Sequence, residues 1–275
     1  MDRSLSCRLH AGGIPLLALA ALLLAPQVRA QASLDFLPNL VGLGVGVTPR
    51  YAGASETEVG AVPGIRYQFA GTNRFFEMYG PIADMNLLDS PNWQFGPALG
   101  IRLGRQDVQD AVVSRMAEID TTMEAGLTGS WFHVNTEGVP WTARVGVIAV
   151  TDLGDQYHGL NATLFGNFWF PLSPRLFAGV GGGVSWASES YNRRYFGVSS
   201  ADAQASGLPL YQPDAGLRQW YAWPALVYQL TPSWYLGAAV FYQRMAGKAG
   251  DSPIVTERGD ANQWTWGLGA GYAWR

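Results

Sequence analysis

Residues 263–274, QWTWGLGAGYAW, decide the fold. Side chains alternate along a strand, so Trp264, Trp266, Leu268, Ala270, Tyr272 and Trp274 share one face, and Gln263, Thr265, Gly267, Gly269, Gly271 and Ala273 share the other. A buried strand of a soluble sandwich would turn aliphatic residues toward a packed core. Here one face carries large rings at both ends and the other is mostly glycine. At about 3.3 Å per residue and a tilt of roughly 40°, the stretch covers the ~25 Å apolar band of an outer membrane. It reads as the closing strand of a transmembrane β-barrel. On that reading Leu268 meets lipid and Gly269 meets the lumen, so Leu268→Arg should cost far more than Gly269→Ser.

The amino end points to the same compartment. Arg3 and Arg8 precede an apolar run over 14–25, followed by Ala30-Gln31-Ala32 as a small-residue cleavage site, the pattern of a secretory signal peptide spanning 1–30. Residues 31–39 then form a short periplasmic segment, and 40–275 the barrel. The only cysteine, Cys7, leaves with the leader, so the mature chain has no disulfide and no cysteine-based metal site. No cofactor or metal is expected. Loss of Asp2 and three arginines leaves a mature charge of about −5, with Lys248 the sole lysine. Without a basic patch, a nucleic-acid partner has no electrostatic support.

No later apolar run is long enough for a spanning helix, so spanning must be by strands. Period-2 segments lie at about 40–48, 58–69, 92–104, 118–133, 141–152, 159–170, 175–188, 217–230, 234–245 and 263–274. Short turns such as Pro171-Leu172-Ser173-Pro174 and Leu230-Thr231-Pro232-Ser233 alternate with long loops at about 105–117, 189–216 and 246–262. In outer-membrane barrels short turns are periplasmic and long loops external, which puts both termini in the periplasm and demands an even strand number. Residues 74–88 must then supply two strands, breaking at Gly80-Pro81, for an all-β, up-and-down antiparallel barrel of about 12 strands. Phe69, Trp93, Trp131, Trp141, Trp169, Trp234 and Trp274 would mark the periplasmic rim, and Tyr51, Tyr79, Trp186, Trp220, Tyr242 and Trp264 the outer one. A secreted β-sandwich is the alternative, although a soluble β-domain of this size would seldom leave so many rings outside.

The longest loops carry a specific resemblance. Tyr195-Phe196-Gly197-Val198-Ser199, then Ala203, Ser206-Gly207-Leu208-Pro209, Tyr211 and Asp214-Ala215-Gly216-Leu217-Arg218, resemble the long loop of the MipA/OmpV family of Gram-negative outer-membrane proteins. Asp251-Ser252-Pro253-Ile254-Val255 with Glu257-Arg258-Gly259 resembles that family's last loop. Pro49-Arg50-Tyr51, Gly53 and Ser55 resemble its first, and Gly104-Arg105 through Glu118-Ile119-Asp120 its third. The match runs in order along nearly the whole mature chain. It implies an outer-membrane barrel whose name-giving member is a scaffold connecting a lytic transglycosylase to a bifunctional murein synthase. Other members are discussed as adhesins, immunogenic surface proteins or routes for antibiotic entry. One departure stands out. The assembly machinery reads a terminal aromatic, and here Arg275 follows the Tyr272 and Trp274 signal. Partners implied are thus outer-membrane lipid, the barrel-assembly machinery and the two murein enzymes.

Two polar constellations remain. Glu118, Asp120 and Glu124 share the inward face of one strand, and Arg66, Arg102 and Arg144 point inward from others. Charges inside a barrel need partners, so these six read as a lumen ion network that would also suit a narrow selective pore. His133 and His158 are the histidines after the leader. His133 sits at a periplasmic strand end as a hydrated rim residue. His158, with Asp152 and Asp155, would resemble a base oriented over a serine if Ser188, Ser190 or Ser252 approached it. The simpler reading is a polar turn, so no catalytic residue is assigned. Three function classes follow: a non-enzymatic scaffold or surface-interaction barrel, a small diffusion channel, and a lipid-modifying enzyme.

Overall fold

A computed structural model of the chain describes residues 38–274. The expected signal peptide, most of the expected 31–39 segment and Arg275 lie outside the described residues. Twelve antiparallel strands close into one barrel: β1 (Asn39–Pro49), β2 (Thr57–Gln68), β3 (Phe75–Tyr79), β4 (Ile82–Asn86), β5 (Trp93–Arg102), β6 (Thr122–Asn135), β7 (Trp141–Asp152), β8 (Asn161–Ser173), β9 (Leu176–Ala187), β10 (Gly216–Gln229), β11 (Trp234–Met245) and β12 (Asn262–Trp274). The two-strand reading of 74–88 holds. Gly80 turns at φ +60° and Tyr79 pairs with Ile82 across the hairpin.

Each strand follows its neighbour in sequence, and β1 pairs with β12 from Asn39↔Trp274 to Val47↔Trp266. Apolar side chains form an exposed outer belt. Trp93, Trp131, Trp234 and Trp274 ring its short-turn end, and Trp186, Trp220 and Trp264 the other. Neighbouring rings touch, as with Tyr242 and Trp264 at 4.6 Å, and Trp234 and Tyr272 at 5.5 Å. His133 stacks on Trp131 within the short-turn belt.

Three rings depart from the expected rims. Trp169 points inward, where it approaches Trp223 at 5.8 Å and lies so close over Gly179 that a Cβ there would strike its ring. Tyr51 is buried in a loop cluster. Tyr79 pairs with the lumen-facing Gly64 and so faces inward from the tip of a short hairpin. Ring chemistry alone does not distinguish a rim from a filled interior, because both accept large side chains.

The closing seam also corrects the expected tolerance of Gly269. Gly42, Gly44 and Gly46 face Gly271, Gly269 and Gly267, and a Cβ on Gly269 would sit 2.9 Å from the Gly44 Cα. The glycine face is a close backbone contact and not spare volume.

Among the described residues the long connections carry a 3-10 turn (Val113–Arg115) and four short α-helices: α1 (Glu189–Phe196), α2 (Ser200–Ser206), α3 (Gly247–Gly250) and α4 (Pro253–Thr256). Ser188 caps α1 by accepting the Tyr191 N–H, and Ser199 with Asp202 forms a capping box on α2. Gly207 ends α2 in the left-handed conformation at φ +82°.

Candidate functional site: the loop cap and the charged layers beneath it

The long connections gather at one barrel end into two apolar clusters. One joins Ile119, Tyr157, Tyr191, Tyr195, Phe196, Met245 and Val255. The other joins Tyr51, Ala54, Val113, Met116, Val198, Leu208 and Ile254. Most residues of the loop motifs serve this packing or the backbone bonds that hold it. The Ser252 hydroxyl donates to the Phe196 carbonyl at 2.6 Å and accepts the Ile254 N–H, with Pro253 starting α4. Val198 and Tyr211 pair as an isolated bridge, and the Tyr211 hydroxyl donates to the Lys248 carbonyl at 2.8 Å. Gln263 donates to the Ala54 carbonyl at 2.8 Å and accepts the Gly53 N–H. Gly197 follows α1 directly, Gly216 opens β10, and Pro209 lies between α2 and that bridge.

Charge pins the cap at its edge. Arg258 meets Asp110 through two guanidinium nitrogens, the shorter contact being 2.6 Å. That guanidinium, with the Val112 and Val113 N–H groups, holds the Asp110 carboxyl below the usual carboxylate range. Asp251 and Glu257 flank α4. Burial pushes the Tyr51 hydroxyl up to about 12, so it stays neutral inside its cluster.

Beneath α1 lies a polar layer at the long-loop end. Arg102 grips Glu124 through Nε and Nη2 at 3.0 and 2.9 Å. The Tyr157 hydroxyl donates to the same carboxylate at 2.8 Å. Burial, then the Glu124 charge, raises the Tyr157 pKa and keeps that proton in place. The guanidinium carbons of Arg102 and Arg218 stand 5.6 and 5.5 Å from the Tyr191 ring centre. Helix α1 therefore sits on the barrel's inward charges.

A second polar layer lies toward the short turns. Arg144 reaches Glu77 at 2.6 Å, Asp84 at 3.3 Å and the Ser130 hydroxyl at 2.9 Å. Arg66 approaches Glu77 at 3.8 Å and covers Phe75.

The six charges expected as one network are thus divided. Arg102 and Glu124 belong to the upper layer, Arg66 and Arg144 to the lower. Glu118 and Asp120 belong to neither. They are exposed in the connection ahead of β6, where Asp120 accepts a bond from Gln106. The alternation expected from residue 118 begins only at Thr122, because Ile119 is occupied bridging to Arg105. Nor does Arg144 serve Glu124. In register Arg144 faces Phe132, while Glu124 faces Asp152 near the other end of β6. The sequence reading missed Glu77 and Asp84, Arg144's true partners. A five-residue strand is too short for alternation to show that its lone acid faces inward. Tyr157 and Tyr191 were missed because loop packing brings them in, and Arg218 because a register shift between Leu217 and Gln219 interrupts the alternation of β10.

The His158 cluster forms a turn. Asp152 accepts the backbone N–H groups of Gln156, Tyr157 and His158, and Asp155 and His158 both take positive φ. The His158 ring meets Asp155 at 3.6 Å with both side chains largely exposed. Ser188 caps α1 and bonds Ser190 at 3.0 Å, and Ser252 bonds Phe196. Among the described residues no serine hydroxyl bonds the His158 ring, and no group of three or more His, Cys, Asp or Glu side chains is placed to hold a metal ion.

Comparison with known proteins fits these motifs to a family. The family described as MltA-interacting protein MipA matches residues 41–274. This chain belongs to that family. Similar curated proteins are the MltA-interacting proteins of Escherichia coli (strain K12) and Shigella flexneri, each 26% identical over 249 residues, covering 88% of this chain and 92% of the relative. Among solved structures, the NanC porin covers 85% of this chain and 100% of its own at 9% identity and a TM-score of 0.44. The translocator domain of the autotransporter NalP from Neisseria meningitidis covers 86% and 87% at 12% identity and a TM-score of 0.40. The family and the barrel fold both fit an outer-membrane location.

Proposed function

We propose that this chain is a non-enzymatic scaffold and surface-interaction barrel of the Gram-negative outer membrane, linked to the machinery that cuts and builds murein. The observation that carries the surface-interaction reading is the cap, whereas the murein link rests on the family. Two buried clusters and the Ser252–Phe196 bond join the long connections into one preformed surface over the charged upper layer. An open pore would gain nothing from burying Tyr191 and Phe196 at its mouth. The Escherichia coli relative is named for interaction with MltA, which supports a lytic transglycosylase as partner here, with a murein synthase as a further one.

In the proposed orientation the short turns and both termini face the periplasm and the cap faces outward. The murein partner then docks on the short turns at 69–74, 87–92, 136–140, 174–175 and 230–233 together with the residues ahead of β1. The leader at 1–30 delivers the chain, and the Tyr272 and Trp274 signal hands it to the assembly machinery. A diffusion channel is the second reading, favoured by inward side chains such as Ala239 that remain exposed inside the barrel.

Two measurements separate the readings. The purified barrel should retain a soluble lytic transglycosylase on an affinity surface and show no conductance steps in planar bilayers. A variant with residues 188–215 replaced by a short turn should conduct. Steady conductance of the intact protein without enzyme binding would replace the scaffold by the channel.

A further inference from the structure

The barrel wall is incomplete between β2 and β5. The β3–β4 hairpin is only five residues a side, while β2 and β5 continue past it. Beside β2 the ladder stops at Gly64↔Tyr79, with a last bond from the Gly80 N–H to the Pro63 carbonyl. Pro63 has no N–H to leave unpaired, which suits the last rung of a ladder. Alternation then turns the N–H and C=O groups of Ala61, Val59 and Thr57 toward the same side, where no strand lies among the described residues. Beside β5 pairing ends at Ile82↔Gly100, with one further bond from the Ile101 N–H to the Pro81 carbonyl. Two missing strands leave a gap of roughly 14 Å between β2 and β5, and the unaccompanied part of β2 is roughly 16 Å long.

The depth of this gap identifies its neighbour. The hairpin tip, Tyr79 to Ile82, lies between the two aromatic belts and short of the long-loop one. Its outer lips, Val59, Ile101 and Leu103, are apolar, exposed and continuous with the lipid-facing belt. The floor is unusual. Val62 pairs with the lumen-facing Gly44, and Tyr79 pairs with Ile82 on the face that also carries Glu77 and Asp84, so all three side chains point inward. They are nonetheless 44%, 49% and 50% exposed. A side chain on the inward-facing Gly60 would meet nothing within 4 Å. The barrel thus holds a hollow that opens sideways beneath the cap, its floor mostly apolar at Val62, Tyr79 and Ile82 and its charged neighbours Glu77, Asp84 and Glu124 set deeper along the same inward face.

We infer that this gap is a lateral entrance through which the acyl chain of an outer-leaflet lipid enters the barrel and rests on Val62, Tyr79 and Ile82. Aliphatic surface left inside a water-filled lumen is unfavourable, and a hydrocarbon chain from the adjoining layer covers it without any new polar burial. The entrance rests on the barrel spanning the membrane with its long connections outward, as proposed above, and is independent of any scaffold partner.

Single-cysteine variants carrying a nitroxide test this in the full barrel folded into phospholipid vesicles, with heat-modifiable gel mobility reporting folding. A label at Val62→Cys should collide with oxygen in preference to a soluble nickel chelate, matching the lipid-facing control Val45→Cys. Ile82→Cys should behave likewise and serves if the first variant folds poorly. Ala225→Cys, inward on the far wall, should lack this lipid-like profile. Preference for the chelate at Val62 and Ile82 would mean a water-filled gap. Protection from both reagents would mean that a polypeptide strand has paired with the β2 edge. Either result overturns the inference.

Discussion

The Ser252 hydroxyl donates a 2.6 Å hydrogen bond to the Phe196 carbonyl, joining residues 56 positions apart with both partners fully buried. The same oxygen caps α4 by accepting the Ile254 N–H. One side chain therefore ties the last loop to the longest one and starts the helix that carries Ile254 and Val255 into the two clusters.

Ser252→Ala should cost about 1–3 kcal/mol in the cap, since it strands a buried carbonyl and removes a helix cap. The barrel strands should be untouched. Hydrogen exchange should show faster exchange over 189–214 and 247–258 with no change in β1 or β12. Uniform protection in both regions would count against the tie.

At the closing seam, Leu268→Arg should cost roughly 2–4 kcal/mol because it faces lipid at mid-strand. Gly269→Ser should also be costly, since its Cβ would press on the Gly44 backbone. Heat-modifiable mobility measures both. A Gly269→Ser barrel as stable as wild type would show that β1 and β12 part easily at that position.

The Asp110–Arg258 pair predicts a pH response in the cap. Asp110 has its pKa depressed in the folded protein, first by the Arg258 hydrogen bonds. The contact is therefore fully present above the unfolded carboxyl value of about 3.9 and is lost as pH falls through the lower folded value. Limited proteolysis within 105–117 and 246–261 should rise steeply below about pH 4. In Arg258→Gln the cleavage should already be elevated at neutral pH and respond less to acid. A wild-type profile in that variant would remove Asp110 as the sensor.

His158 sits exposed in a turn held by Asp152, and the proposed non-enzymatic reading gives it no chemical step. Lipid extracts from cells expressing wild type, His158→Ala or no barrel should show the same lipid A and phospholipid species by mass spectrometry. A product seen only with wild type would restore the Asp152, Asp155 and His158 cluster as an active site.

The sequence by itself determined the barrel, its strand number and the lipid-facing residues of β12. Those follow from local periodicity, because each strand must show hydrocarbon a continuous apolar face and each turn must interrupt it. Residues 74–88 were read correctly for a topological reason, since an odd count would have put the 105–117 loop on the wrong side. Tertiary structure alone decided which charges meet. Arg144 and Glu124 lie in adjacent strands, and only the register between β6 and β7 places them in different layers. It also decided that Trp169 points into the interior, that Gly269 is a backbone contact, and that loops distant in sequence pack together at one end while a five-residue hairpin leaves the wall open beside it. These outcomes depend on contacts between segments far apart in the chain, which local alternation does not encode.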